Sequence, residues 1–357
     1  MAFEHLDIII PQYKETEEKI RPLLTSIENQ VGISKDVFQV TIVNDHSDCK
    51  LSEDFLKSFS YPIQYLETPE NGGAGMARQW GIDHTSNPLI MFCDADDRFF
   101  DCTALLNLFN AIRVNNVKNG EQFNLLSSSF YEEHIEADGK GYDLIQHEKP
   151  TMIWMHGKIF RRGFLEKYNI RFLPGLRTFE DTFFGKHVAL LAPQTTQIHC
   201  NYYTYLWVRN PDSVTSNWNH DDKDYLFWNN DDYLLCNRNL LKKVCEVDPS
   251  NAKLGELAWV DLFFTYYLLQ LKEFNDEEEI TQVKIKKLYD FLFEVINDYE
   301  DILKGVTMPV RLKYYITLRN DMPKYGLLIE KILWNDFVHQ KIEPVLKKDL
   351  SWLLLYD

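Results

Sequence analysis

A chain of 357 residues, 45% hydrophobic and 14% aromatic, is long enough to bury a sizeable core in each of two domains and too apolar to be disordered. Its 38 Lys and Arg face 54 Asp and Glu, a net charge of −16 that disfavours a nucleic-acid surface but leaves room for a small nucleotide held through a metal ion. The six cysteines form no C-x-x-C pair and no zinc-ligand spacing, the pattern of a reducing compartment.

Met1-Ala2-Phe3-Glu4-His5 lacks the basic start and apolar core of a signal peptide. The most apolar later stretch, Leu257 to Leu271, is too short for a membrane span and carries Asp261, so a core helix is expected there. A cytoplasmic, soluble protein is the expectation, with no transmembrane segment and peripheral membrane contact left open.

In chain order, Leu6 to Pro11 is a β-branched run closed by proline, a first buried strand. Gln12-Tyr13-Lys14-Glu15 forms a turn, Thr16 to Val31 has helical spacing, and Phe38 to Val43 is a second strand ending in Asn44-Asp45-His46-Ser47-Asp48. That opening, with polar residues at each strand end, predicts an α/β, doubly wound nucleotide-binding sheet. After Tyr61 to Leu66 comes Asn71-Gly72-Gly73-Ala74-Gly75, then a helix over Met76 to His84. The glycines allow close backbone approach, so the helix start and Arg78 suit a phosphate; a surface ion pair for Arg78 suits the same pattern equally. The loop is not a G-x-x-x-x-G-K-[ST] motif and does not follow the first strand as a dinucleotide fingerprint would.

Leu89 to Phe92 then runs into Cys93-Asp94-Ala95-Asp96-Asp97, three carboxylates just outside a strand's carboxyl end, where open α/β sheets present ligand-binding groups. Asp94 and Asp96 offer the hard oxygen ligands that Mg²⁺ or Mn²⁺ prefers; capping of the following segment is the plainer reading. A helix over Cys102 to Val114, a strand over Phe123 to Phe130 and a polar hairpin at Glu136 to Gly141 follow. Ile153 to Phe160 then places Trp154, His156 and Lys158 in one apolar segment, where tryptophan and histidine are more often structural than functional. Glu180-Asp181 opens an apolar helix to about Leu191, so the macrodipole accounts for the acids and a general base held at the helix start is the functional alternative. Thr195 to Val208 suggests the last strands. Beyond Asp221 the pattern is helical: Leu234–Val247, Leu254–Phe274, Glu278–Val295, Pro309–Arg319 and Ile329–Val345. A catalytic domain over 1–220 and a helical domain over 221–357, for acceptor binding or homo-oligomerisation, are expected.

Taken together, these motifs resemble the family 2 glycosyltransferases with the GT-A fold, in order, over roughly residues 5 to 215. The carriers are Ile8-Ile9-Ile10-Pro11-Gln12-Tyr13, Val43-Asn44-Asp45-His46-Ser47, Asn71-Gly72-Gly73 through Ala77-Arg78-Gln79-Trp80-Gly81, Asp94-Ala95-Asp96 and Glu180-Asp181. The resemblance implies a Rossmann-like mixed, mostly parallel sheet flanked by helices, followed here by an all-α region. It also implies an inverting, metal-dependent enzyme that moves a sugar from a nucleotide-diphosphate sugar to a hydroxyl. Pro11 and Tyr13 would lie by the nucleobase and Asp45 would hydrogen-bond it, most simply as uracil, so the donor would be a UDP-sugar. Gly73, Arg78, Asp94, Ala95 and Asp96 would bind the nucleotide, with Asp94 and Asp96 on Mn²⁺ or Mg²⁺. His156, Lys158 and Glu180 would bind substrate, and Asp181 would be the base.

Lys14, Asn44 and Gln79 depart from the family pattern, and the segment around His156-Gly157-Lys158 is variable in it. Candidates for a third metal ligand are His199 and His220, and for a sugar platform the tail residues Trp218, Trp228, Trp259, Trp334 and Trp352. The acceptor would be a glycan, a cell-surface polymer or another hydroxyl-bearing molecule. A nucleotidyltransferase would want a glycine-rich basic loop directly after the first strand, which Pro11-Gln12-Tyr13-Lys14 is not. The alternatives kept are a catalytically silent carbohydrate- or partner-binding module of the same fold and a transferase acting on modified DNA bases.

Overall fold

The computed structural model describes residues 3–119, 122–135, 141–210, 230–272, 279–321 and 334–355. The chain forms two compact units, Met1–Asp212 and Ser213–Asp357. The expected division at 220 falls within 211–229, outside the described residues.

In the first unit the strands, in chain order, are β1 (Leu6–Gln12), β2 (Phe38–Asn44), β3 (Ile63–Glu67), β4 (Leu89–Phe92), β5 (Arg98–Phe99), β6 (Leu125–Ile135), β7 (Tyr142–His147), β8 (Lys158–Arg161) and β9 (Gln197–Trp207). The helices are α1 (Glu17–Glu28), α2 (Glu53–Lys57), α3 (Ala74–Asp83), α4 (Ala104–Asn119), α5 (Arg162–Lys167) and α6 (Glu180–Leu191). One mixed sheet runs β3-β2-β1-β4-β8-β6-β9-β5, with β7 paired to β6. Its first four strands are parallel, β8 joins antiparallel to β4 and β6, and β9 returns parallel to β6.

Because β1, β2 and β4 point the same way with Gln12 beside Asn44 and Ile9 beside Phe92, their carboxyl ends form one edge. That register brings the segments carrying Tyr13, Asp45 and Asp94 together. Pro11, which has no N–H to give, lies past the last residue that β1 shares with β4.

Both faces of these strands are covered, so side chains alternate between two apolar layers. Ile8, Ile10, Val40, Ile42 and Met91 pack on one side with Leu23, Ile27 and Leu108; Ile9, Val43, Ile90 and Phe92 pack on the other with Ala77, Phe172, Phe184 and Val188. The second layer lets α3 approach β1 closely, because a Cβ on Gly81 would sit 2.4 Å from Ile9 Cγ2. Gly81→Ala is therefore expected to lower unfolding stability by about 1–3 kcal/mol in a denaturant titration, as overpacking of a rigid core does.

One buried charge is tied down in the same region. Asp7, fully buried on β1, accepts from Arg162 Nη2 at 3.0 Å and from Asn87 Nδ2 at 2.7 Å.

The second unit is helical: α7 (Asn230–Val247), α8 (Ala252–Lys272), α9 (Glu279–Asp298), α10 (Glu300–Gly305), α11 (Met308–Asp321), α12 (Trp334–Phe337) and α13 (Glu343–Leu346). The apolar stretch that sequence assigned to a core helix is α8, with Trp259, Phe263, Tyr266 and Tyr267 buried. Among the described residues no helix is long and apolar enough to cross a membrane. Trp259 and Trp334 are core residues whose indole N–H groups donate to the carbonyls of Leu303 and Leu353, so neither offers a sugar platform. Trp218 and Trp228 lie outside the described residues. The expected helix Ile329–Val345 is described from Trp334 on, and there a π-turn at Val338–Ile342 separates α12 from α13.

Candidate active site

The turns at the carboxyl edge of the sheet are built by local hydrogen bonds that account for Asn44 and Gln79 among the sequence departures. Lys14 has φ +69°, left-handed backbone that asparagine tolerates better than lysine, and its N–H donates to Ser47 Oγ. Asn44 donates from Nδ2 to the Ser47 carbonyl and accepts the Ser47 N–H on Oδ1, a pairing for which an aspartate lacks the donor. Gln79 accepts the Phe172 N–H and donates to Asp83, tying α3 to the segment that leads into α6.

Asp45, 2% exposed, accepts from the Gly72 N–H at 3.1 Å, the Gly73 N–H at 2.7 Å and the Thr68 hydroxyl at 3.1 Å. Its carboxylate shapes the glycine loop, with little capacity left for a nucleobase. Gly73 at φ +83° is the residue that lets the chain turn from that loop into α3. Tyr13 projects from the same edge and is 44% exposed, with Lys14 Nζ 4.9 Å above its ring.

Arg78, on α3, is 4% exposed and bridges two carboxylates: Nη2 lies 2.5 Å from Asp94 Oδ1 and Nη1 lies 3.1 Å from Glu180 Oε1. This ion pair is buried, and its partners sit on the loop after β4 and at the start of α6. Burial disfavours the cation, but Asp94 and Glu180 more than offset that and raise its pKa. Burial likewise works against the charge on Asp94, and Arg78 reverses it, holding that carboxyl below its usual range.

Ala95 is buried between the two acids of the D-x-D. Asp96 accepts from Asn210 Nδ2 at 2.7 Å, and burial followed by repulsion from Asp94 raises its pKa. Glu15 is raised too, mainly by burial, with Asp96 adding repulsion.

Asp97 is the residue that sequence reasoning passed over. It is 1% exposed, accepts from the Tyr205 hydroxyl and the Val208 N–H at 2.8 Å each, and so clamps the acidic loop to β9. Tyr205 also accepts the Asp94 N–H at 3.0 Å, so one phenol holds both ends of the loop. The run of acids hinted at Asp97, but nothing in the chain pointed to Tyr205 as its support or to Asn210 as that of Asp96.

Among the described residues, one atom each from Asp94, Asp97 and His156 lie within 4.8 Å of one another, close enough to share a cation. Asp97 and His156 are buried there, however, and a cation that must also touch a diphosphate needs accessible oxygens. The Asp94 side chain keeps 32% of its surface, and Asp96 remains half-buried. Oxygen donors packed so that Asp96 resists ionisation fit a hard divalent ion, which would neutralise the excess charge. His199 bridges Ser127 Oγ and the Glu148 carbonyl instead of joining this set, and His220 lies outside the described residues.

His156 stacks on Tyr205 and Trp207, and burial pushes it down to about 3, so it is neutral. Lys158, 1% exposed, donates to the Trp154 carbonyl; burial lowers it to about 7 against an upward pull from Asp181. Both were expected to bind substrate; in the structure both are buried, at 5% and 1% exposed.

Asp181 opens α6 beside Glu180, its Oδ1 accepting its neighbour Thr182's N–H at 2.6 Å. Burial and then the Glu180 charge push it up to about 7, although Arg78 and Lys158 oppose the shift. A carboxylate poised near neutrality can exchange a proton at low cost.

A family model for glycosyl transferase family 2 matches residues 7–172. Glycosyltransferase GlyA of Streptococcus pneumoniae is 25% identical over 220 residues, covering 57% of this chain and 30% of that protein. A teichoic acid poly(glycerol phosphate) polymerase of Staphylococcus epidermidis is 34% identical over 107 residues, 29% of this chain and 14% of that protein. The chain thus spans less than a third of either curated relative. The crystal structure of S. aureus TarS 1–349 in complex with UDP-GlcNAc is alike in fold at TM-score 0.62 and 17% identity, covering 90% of this chain and 89% of that one. With its sheet, glycine loop and acidic strand end in the order described, the chain has the GT-A fold, and its residues 7–172 match glycosyl transferase family 2.

Proposed function

We propose that this chain is a metal-dependent inverting glycosyltransferase that moves a sugar from a UDP-sugar to a hydroxyl of a glycan or cell-surface polymer. The observation that carries the reading is the Arg78 bridge, which sets the Asp94-Ala95-Asp96 loop and the Glu180-Asp181 pair at one edge of the sheet. A sugar bound there would have an acidic, cation-seeking group on one side and a carboxylate of pKa about 7 on the other.

In this reading exposed Tyr13 lies against the nucleobase, with Pro11 and the Asp45-anchored loop at Gly73 shaping that end of the site. Mn²⁺ or Mg²⁺ on Asp96 and Asp94 would supply charge neutralisation for the leaving diphosphate. Asp181 takes the proton of the acceptor hydroxyl as its oxygen attacks the anomeric carbon. The bond to the diphosphate oxygen breaks in the same displacement, which inverts the configuration. Glu180 holds the bridge beside the base. A setting rich in nucleotide sugars, such as the cytoplasm, suits this chemistry.

The TarS complex makes UDP-N-acetylglucosamine the first donor to try, and the teichoic acid polymerase makes a polyol phosphate chain a sensible first acceptor. The test is UDP release from UDP-glucose, UDP-galactose, UDP-N-acetylglucosamine and GDP-mannose, with and without Mn²⁺. Metal-dependent release from one donor is expected. No turnover or binding of any of them would favour the catalytically silent module.

A further inference from the structure

We propose that Arg78 is a positioning residue: its guanidinium is a strut that holds the start of α6, and with it Asp181, against the Asp94 loop, and is not a cation for the donor's diphosphate. The inference rests on the transferase reading above and departs from the nucleotide contact that the sequence motif suggests.

Three features of the packing carry it. First, both terminal nitrogens are already engaged, by Asp94 at 2.5 Å and Glu180 at 3.1 Å, so the guanidinium and its two partners carry a net negative charge that repels a phosphate. Secondly, the side chain is 5% exposed, and its Nε–H, also buried, has no acceptor among the described residues, so no donor group is turned to the surface. Thirdly, α3 is built to let Glu180 in. Gly75, one turn before Arg78, faces that side chain so closely that a Cβ would lie 2.9 Å from Glu180 Cγ, and Phe172 lies below the guanidinium at 6.0 Å.

A planar fork can satisfy two carboxylates at a fixed separation, whereas an ammonium offers a single point of attachment. Arg78 thereby sets the distance between the group that receives the leaving diphosphate and the group beside the base. Cutting the strut should leave nucleotide binding and damage the chemical step.

The experiment uses the full chain, with Arg78→Gln, Arg78→Lys, Glu180→Gln and the double variant Arg78→Gln/Glu180→Gln. Affinities for UDP and UMP are measured by calorimetry in Mn²⁺, and UDP release is measured at saturating UDP-N-acetylglucosamine, or whichever donor of the panel reacts. Expected is a UDP-to-UMP affinity ratio within about twofold of wild type in both Arg78 variants, with saturated turnover down about tenfold or more. The double variant should lose little beyond the worse single one, because both replacements cut the same link. Arg78→Lys keeps the charge and serves as the readout if the glutamine variant does not fold.

A selective loss of UDP over UMP affinity would overturn the strut and make Arg78 a β-phosphate contact. So would losses in the double variant that multiply. A wild-type chain that binds UDP yet releases it from no donor would overturn the transferase reading instead, and the strut's catalytic role with it.

Discussion

Asp181→Asn is expected to cut sugar transfer by about 10²- to 10⁴-fold, the usual contribution of a positioned general base, while UDP affinity stays within about twofold of wild type. The amide keeps the shape of the side chain and its place at the start of α6 but cannot take the acceptor proton. The wild-type rate should rise with pH through about 7, because Asp181 must be ionised to act and burial with Glu180 holds its pKa there. The asparagine variant should lose that limb.

Its stability should move the other way. A carboxyl raised from 3.8 to about 7 binds its proton more tightly folded than unfolded, so it removes stability as pH climbs between those values. The variant should therefore melt higher than wild type at pH 8, by a margin that narrows as pH falls toward 4. Wild-type turnover in Asp181→Asn would remove the base assignment. An unchanged melting temperature at pH 8 would instead say that the ionised carboxylate is well solvated.

How much of this was legible beforehand follows from how local each signal is. The strand ends could be read because β-branched runs closing on Pro11, Asn44 and Cys93 are contiguous patterns, and α6 was bounded correctly at Glu180 and about Leu191 by its acidic first turn. Arg78 was visible as the arginine of the glycine-loop motif, but its partners were not. Glu180 lies far along the chain, and whether a buried guanidinium meets phosphate or carboxylate depends on the approach of α3 to α6 that Gly75 permits. The same limit hid Tyr205 and Asn210, ordinary residues on and just after β9 that become the supports of Asp97 and Asp96 only when the sheet is assembled. His156 and Lys158 were located but their surroundings were not, since a polar residue inside an apolar segment looks alike from sequence whether it faces a ligand or a sealed interior. Asn44 looked like a departure, yet its turn needs an amide's donor, whereas Lys14 occupies left-handed backbone that suits asparagine better and nothing in the structure explains it.

Asp96→Asn is expected to fail differently, losing donor binding and turnover together. Asp96 is the half-buried acid of the D-x-D, held among the described residues by an amide hydrogen bond from Asn210, while Asp94 answers to Arg78 and Asp97 to Tyr205 and Val208. Of the three it is the most available to a cation. Replacing its charge should weaken UDP binding in Mn²⁺ by about tenfold or more, equivalent to about 1.4 kcal/mol, and abolish the response to added metal. Chelating the metal from wild type should reproduce that loss, and chelation should change nothing further in the variant. The fold should not suffer, because burial and repulsion from Asp94 already raise the Asp96 pKa, and a neutral amide removes that repulsion. Equal or higher melting temperature with lost UDP affinity is therefore the expected signature of a metal ligand. If UDP binds the variant and wild type equally, with or without chelator, then the acidic strand end serves to hold Arg78 and the loop, and the donor binds without a metal at Asp96.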